Sequence, residues 1–598
     1  MKSFLGLRLV LLPSVAGTLA ACSPSPASKA SAGGNGPDGQ AAPSGVAADA
    51  GPDALGDGGP DGAWRTIVDD DFPLPVAPGI APTPPVGWNS WNAFACDVTA
   101  ADIESAADRM VSTGMADAGY QYVTIDDCWA LPDRAADGTV QVDPRFSDAG
   151  MQPVADYVHG KGLKLGIYSD RGTQTCQMRA GSQDHESQDA TTYASWGVDY
   201  VKYDNCSAQA DTMQAQYQAM RDAIAATQRP MVLSICSWQF DEWDLTTGQL
   251  WRTTSDIAPN WTSPAANVGS ILSILTKNER LAAYAGPNGW NDADMLEVGN
   301  GMSTLEDRAH FTMWAMMASP LIAGNDLTRM TNNTLKTLTN TEVIAIDQDP
   351  LGLQGVPVRI DGDLVSTDTE VWAKPLDESG ARAVVLLNAG DAAQSITAHF
   401  AEVGLSGGSA TVRDLWQHSD LGPFVDSYTA TVEGHAVVAL KVTGTEPPIP
   451  VGSAFLSDVA WTYAANGQGP VERDESNGAS AAGDGKTLSL HGNKYAKGLG
   501  VASGSMIIYR LGKVCTSFSA DVGIDDETAG KGSVDFQVWA DGDTKPLFDS
   551  LVVTAASPIQ HATLDLTGKR RLKLLVTGAG DGPAWDHADW AGATIVCP

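Results

Sequence analysis

The sequence predicts an α/β fold: a (β/α)8 TIM barrel, then an antiparallel β-sandwich, then a C-terminal β-sandwich of jelly-roll character. Three observations carry this expectation. Between about residue 82 and about residue 350, eight short β-prone runs alternate with helical patterns at the spacing of βα units. Residues 356 to 443 alternate apolar and polar side chains between glycine-rich turns. Residues 453 to 598 show strand patterning again, after a proline-stiffened break, TEPPIPVGS. A chain of 598 residues is too long for one core, which agrees with several units.

The eight runs of the first unit, residues 81–355, are VGWNSW, YQYVTIDD, LKLGIYSD, DYVKYDNC, MVLSICSW, LWRTTSDI, WNDADML and SPLIAGND. Between them lie patterns such as AADIESAADRMVSTGMADAG, with apolar residues at helical spacing, Thr99 placed to cap the start and glycine near the end. An open doubly wound sheet is the alternative, which the count of eight disfavours. In a barrel, chemistry sits where strands end at the C-terminal rim.

The chain starts MKSFLGLRLVLLPSVAGTLAAC, a lysine followed by an apolar stretch too short and too interrupted by Arg8 and Pro13 to span a bilayer. Residues 1–22 read as an export signal, and LAAC resembles the lipobox of bacterial lipoproteins, with Cys22 as the acylated residue; an ordinary signal peptide is the other reading. Residues 23–80 are expected to be a disordered tether, since their first forty residues hold almost nothing that could be buried. The protein is thus expected at a bacterial envelope or cell surface, attached to membrane only through lipid, or otherwise secreted. A balance of 37 Lys+Arg against 72 Asp+Glu, net −35, repels nucleic acid and anionic lipid and favours a neutral ligand. The oxidising compartment makes disulfides the expected state of most cysteines. Spacing does not assign pairs; those expected are Cys96 with Cys128, Cys176 with Cys206, and Cys515 with Cys597, leaving Cys236 free.

The run DYVKYDNC, residues 199–206, ends a buried-looking strand on opposite charges. Strand residues two apart share a face, so Tyr200, Lys202 and Asp204 point one way and Val201 and Tyr203 the other. If the first face lines the barrel, Lys202 stands beside Asp204 and lowers its pKa, as a carboxylate nucleophile requires. The pattern recurs: Asp126, Asp127, Asp170, Asp256, Asp292 and Asp294 close other runs, so carboxylates ring one rim. A metal ranks second because no segment has a close His or Glu set with ligand spacing, and no cofactor is expected. Aspartates, a lysine, an arginine and aromatic walls (Trp88, Trp91, Trp129, Tyr168, Trp290) suit a polyhydroxylated ring. Two carboxylates on different strands also supply the machinery of glycoside hydrolysis.

Residues 82 to about 443 resemble glycoside hydrolase family 27, through GWNSWN, IDDCW, GIYSD, VKYDNC, RTTSDI, WNDADML and IAIDQDPLG, in order. The resemblance implies a retaining, exo-acting α-galactosidase, with α-N-acetylgalactosaminidase or β-L-arabinopyranosidase as alternatives. It implies that Asp204 attacks the anomeric carbon and Asp256 serves as acid and base, while Trp91, Asp126, Asp127, Tyr168, Lys202, Ser237, Arg252 and Asp294 hold the sugar. It also implies the Cys176–Cys206 pair beside the nucleophile. In the run CSWQFDEW, Ser237 resembles enzymes that admit a 2-acetamido group, whereas the bulk of Phe240 is expected to fill that space and favour galactose. A surface sugar-binding lipoprotein on a catalytically idle barrel is the reading from another class. Residues 453–598 resemble the NPCBM family of carbohydrate-binding modules through LSDVAW, GPVERD, YAKGLGV, VGIDDE, VDFQVWADG and DHADWAGA. There Trp461, Trp539, His587 and Trp590 read as core more readily than as a sugar site, and DDETAG with DHADW as a weaker calcium candidate.

Overall fold

The computed structural model describes residues 64–65 and 79–598, apart from 148–149, 209–211, 263–267, 362–368 and 479–480. The export signal and the lipidation expected at Cys22 lie outside the described residues. The eight β-prone runs form the strands β1 (Val86–Asn89), β2 (Tyr122–Ile125), β3 (Lys164–Asp170), β4 (Tyr200–Asp204), β5 (Val232–Ile235), β6 (Leu250–Arg252), β7 (Trp290–Asp292) and β8 (Leu321–Ala323). They make one parallel sheet in the order β7-β6-β5-β4-β3-β2-β1-β8. A parallel bridge from Leu296, just past β7, to Ala323 of β8 joins its two ends and closes the barrel.

Strand alternation separates two apolar layers. Tyr122, Tyr200, Val232, Leu250 and Trp290, each near the start of its strand, meet inside with Ala81 and Ala318 and plug the N-terminal end. Their neighbours Val123, Val201, Leu233 and Trp251 face outward into the main core beneath the helices. Helix α1 (Ala100–Ser112) shows how the helices are specified: Thr99 and Asp102 form a capping box, and Ile103, Ala106, Ala107 and Met110 recur at helical spacing on its buried face.

The second unit is an antiparallel sheet in the order 356–361, 369–375, 381–388, 436–443, 409–414, 419–425, covered by the hairpin-like pair 394–399 and 427–432. Its outer strand faces join the barrel core through Trp372, Val385, Leu387 and Ala439. The third unit packs a sheet built around 587–597 against a five-stranded sheet built around 571–578, over a core containing Trp590, Phe518 and Phe536. A disulfide joins Cys515 to Cys597. One expectation is corrected: Trp64–Arg65, inside the segment read as a tether, is a strand antiparallel to Ile449–Pro450. A two-residue pairing has no periodicity to betray it, because its warrant is the backbone of a distant segment, Ile449–Pro450. Among the described residues, no helix is long and apolar enough to cross a membrane.

Candidate active site

Asp204 ends β4 and is 1% exposed. The Tyr168 hydroxyl, on β3, donates to its Oδ2 at 2.8 Å, and the Asn205 N–H donates to its Oδ1 at 2.9 Å. The Cys176–Cys206 disulfide lies alongside, with the Cys176 sulfur 3.5 Å from Oδ2. Asp170, paired in register with Asp204, turns its oxygens to the N–H groups of Gly172 (2.6 Å) and Cys206 (2.7 Å). One donor atom each from Asp170, Cys176, Asp204 and Cys206 fall within 4.8 Å of one another. Metal ligation by cysteine needs the thiolate, and here both sulfurs are consumed in the disulfide. The group is therefore a pinned strand end rather than a metal centre.

Lys202 points to the same mouth, but its ammonium pairs with Asp126 Oδ2 at 2.8 Å rather than with Asp204. The expectation that it holds the Asp204 pKa low is corrected. Burial raises that pKa, the Lys202 charge opposes, the Asp256 charge adds to the rise, and the Tyr168 and Cys236 hydrogen bonds oppose; the net shift is upward. The physical reason is depth: a carboxylate with almost no solvent loses more hydration than one indirect cation returns. Asp170 is pushed up to about 8, first by burial and then by the Asp204 charge.

The β2 end supplies Asp126 and Asp127, each 2% exposed. The Asn89 amide of β1 donates to Asp126 Oδ2 at 2.8 Å. Asp127 accepts from the Cys128 N–H, the Thr175 hydroxyl and the Gln177 N–H, at 2.6, 2.9 and 2.9 Å. The Cys96–Cys128 disulfide braces this turn. Across the mouth, Arg252 of β6 reaches Asp294 at 2.8 Å and Asp256 at 3.1 Å. Its other arm lies 3.7 Å from the sulfur of Cys236, the one free cysteine among the described residues. Asp294 also accepts the Ile257 N–H at 2.8 Å, which ties the β7 end to the segment carrying Asp256. The Asp256 side chain is 28% exposed. One carboxylate is thus sealed and the other faces solvent, with a guanidinium beside the second.

Trp91, half-buried, opens the short helix Trp91–Phe94 after β1, its N–H bonded to Asn89 Oδ1 at 2.8 Å. Three of the expected aromatic walls are core instead. Trp88 is fully buried and donates to the Asn325 carbonyl, Trp290 belongs to the barrel plug, and Trp129 packs edge-on against Tyr193 and Trp196. Ser237 is buried and its hydroxyl donates to the Gln239 carbonyl at 2.9 Å. Phe240 does not close over the pocket: its ring lies 4.5 Å from that of Tyr284 and 6.3 Å from that of the outward-facing Trp251. Asp170 and Cys236 had no assigned role from sequence, although Asp170 closes the GIYSD run. In the third unit Trp590 is core, Trp461 and Trp539 lie under Arg473 and Lys573, and His587 pairs with Glu527 at 2.6 Å.

The acidic rim has a consequence for stability. Burial pushes Asp127 up to about 6, Asp170 up to about 8 and Asp292 up to about 6. A carboxyl whose folded pKa exceeds its unfolded value near 3.9 binds its proton more tightly when folded, so stability falls as pH rises through the window between the two values. The ligand-free protein should therefore melt at a higher temperature at pH 5 than at pH 8; calorimetry giving the opposite order would contradict this reading of the rim.

Comparison with known proteins agrees with this architecture. Residues 83–349 match the family profile described as Alpha galactosidase A, residues 366–442 that of the Alpha galactosidase C-terminal beta sandwich domain, and residues 452–596 that of the NPCBM/NEW2 domain. The chain is 47% identical over 385 residues to Alpha-galactosidase A of Cellvibrio japonicus, covering 61% of this chain and 93% of that one. It is 45% identical over 364 residues to an Alpha-galactosidase of Cyamopsis tetragonoloba, covering 60% and 85%. The crystal structure of alpha-galactosidase I from Mortierella vinacea superposes with a TM-score of 0.58 at 37% identity, covering 62% of this chain and 99% of that one. That of the Saccharomyces cerevisiae enzyme with raffinose gives 0.57 at 28% identity, covering 62% and 100%. A closed eight-stranded barrel with paired acids at its rim, a following sandwich, and 47% identity over 93% of the Cellvibrio japonicus protein show that the chain belongs to the α-galactosidase family of glycoside hydrolases, extended by an NPCBM module.

Proposed function

We propose that this protein is a retaining, exo-acting α-galactosidase that releases terminal α-D-galactosyl residues from oligosaccharides or polysaccharides by double displacement. The observation that carries the reading is the asymmetry of two electrostatically coupled carboxylates at one barrel mouth: Asp204 sealed, Asp256 open to solvent. In the first step Asp204 attacks the anomeric carbon as the glycosidic bond breaks, and Asp256 gives its proton to the departing oxygen. In the second step Asp256 takes a proton from water, and the oxygen of that water displaces Asp204 from the same carbon. Asp126, Asp127, Lys202, Arg252 and Asp294 supply the charged groups for the sugar hydroxyls, and Trp91 and Tyr168 the aromatic surfaces.

The raised pKa of Asp204 gives the reaction an acid limb, because the carboxylate must be ionised to attack. For the sugar, galactose is supported by relatives 44–48% identical that are named α-galactosidases. Solved structures titled β-L-arabinopyranosidase and α-N-acetylgalactosaminidase are 24% and 23% identical, a likeness of fold alone. Proton NMR of fresh hydrolysate is the test of mechanism. The α anomer of galactose should appear first and then mutarotate; β-galactose appearing first would exclude double displacement. A panel of p-nitrophenyl α-galactoside, α-N-acetylgalactosaminide and β-L-arabinopyranoside tests the sugar, and a clear preference for the acetamido sugar would overturn galactose while leaving the mechanism.

A further inference from the structure

The loop after β5 follows Cys236, whose sulfur lies 3.7 Å from Arg252, and its Glu242 ends against the C-terminal module. Trp238 sits at φ 63°, a conformation that a bulky side chain adopts only when its surroundings impose it. Two residues on, the Phe240 ring packs at a tilt against that of Tyr284, 4.5 Å between centres. Tyr284 closes the 3-10 helix Glu279–Tyr284, whose Ala282 and Ala283 share one apolar cluster with Tyr463, Ala465, Met506 and Ile508 of the module. The loop's own 3-10 helix begins at Glu242, and that carboxylate rests on the module: a Cβ added to Gly578 would lie 2.2 Å from its Oε1. A second line of contact is polar and buried. The Tyr463 hydroxyl donates to the Gln354 carbonyl at 2.8 Å, Gln354 Oε1 accepts from the Asn291 amide at 2.9 Å, and Asn291 Oδ1 accepts from the Trp251 indole at 2.7 Å. Asn291 precedes Asp292 on β7 and Trp251 precedes Arg252 on β6.

We infer that the C-terminal module shapes the sugar pocket of the barrel, with Tyr284 and Glu242 as positioning residues that hold the Ser237–Thr246 wall against it. This rests on the α-galactosidase reading, and it assigns the module a role in the hydrolytic site that does not require the module to bind sugar. None of these residues touches the reacting atoms; they act through the loop that carries Ser237 and through the strands that carry Arg252 and Asp292. Small displacements at such a wall weaken substrate binding more than they slow bond breaking, because Asp204 and Asp256 stand on other segments.

The test uses the full chain with Gly578→Ala, Tyr284→Ala and Tyr284→Phe. Gly578→Ala displaces only the flexible end of Glu242, from the module side, so folding is not at stake. Gly578→Ala and Tyr284→Ala should raise KM for p-nitrophenyl α-galactoside about tenfold with kcat within about twofold, and Tyr284→Phe, which keeps the ring contact with Phe240 but loses the hydroxyl's bonds to Glu242 and the Gly578 backbone, should recover only part of the loss. Amide exchange over residues 237–246 should quicken in the first two variants. Unchanged exchange, or quicker exchange with unchanged KM, overturns the inference. Should the parent cleave no α-galactoside, the functional reading fails by itself; galactose affinity by titration calorimetry then replaces KM, with a loss in the two variants supporting the module's role and no change refuting it.

Discussion

Asp204→Asn is expected to cost at least about 10⁴-fold in kcat/KM on p-nitrophenyl α-galactoside, equivalent to about 5.5 kcal/mol of transition-state stabilisation. An amide cannot form the glycosyl ester, and no neighbour can take over. Asp170, in register beside it, has both oxygens turned to backbone N–H groups, and Asp126 is held by Asn89 and Lys202. Galactose affinity should survive, since Asp126, Asp127, Lys202 and Arg252 are untouched. The paired measurement is steady-state kinetics with titration calorimetry. More than about 1% residual activity in a verified asparagine variant would move the nucleophile elsewhere. Sugar binding by a parent that cleaves none of the three glycosides would instead support the idle-barrel reading. In the smaller variant Asp204→Gly, added azide enters from the vacated face and should yield β-galactosyl azide.

Asp256→Ala should separate the two half-reactions. Loss of a general acid typically removes about 10²–10⁴-fold of rate, and the loss should be heaviest for sugar leaving groups, which need the proton, and lighter for nitrophenolate, which does not. Without the base, the glycosyl-enzyme on Asp204 persists. The opening near Asp256 is partly solvent-exposed, so azide should reach the anomeric carbon there and restore turnover. It arrives on the face opposite Asp204, so the product should be α-galactosyl azide, the opposite anomer to that expected from Asp204→Gly. The two NMR spectra together assign both carboxylates by stereochemistry. The same anomer from both variants would refute the assignment.

The barrel was legible because eight β-prone runs alternate with helical patterns at βα spacing, and its rim because several of those runs end on aspartate after an apolar stretch. The three disulfides formed are the expected ones, although spacing alone does not assign pairs and the family resemblance implied only Cys176–Cys206. What sequence could not convey was depth along a strand. Tyr200, Lys202 and Asp204 do share a face, yet Tyr200 belongs to the apolar plug, Lys202 to the charged belt and Asp204 to the mouth. Trp290 belongs to the plug and not to the pocket wall for the same reason, since alternation reports which side a residue faces and not how far it stands from the rim, whereas Trp88, in register with Val123, faces outward into the main core. Phe240 and the partner of Lys202 depend on neighbours from other segments, which no local pattern encodes.

The shared apolar seam between the 3-10 helix and the module bears on how this architecture can be rearranged. Modules of this kind are often pictured as beads that can be cut from one enzyme and strung onto another. Here excision would expose the module's side of the seam, Met506 and Ile508 with Tyr463 and Ala465, and would bare Ala282 and Ala283 on the barrel. Transplantation to a foreign host would therefore succeed only where the recipient offers a matching greasy ledge, so the two surfaces form one heritable unit.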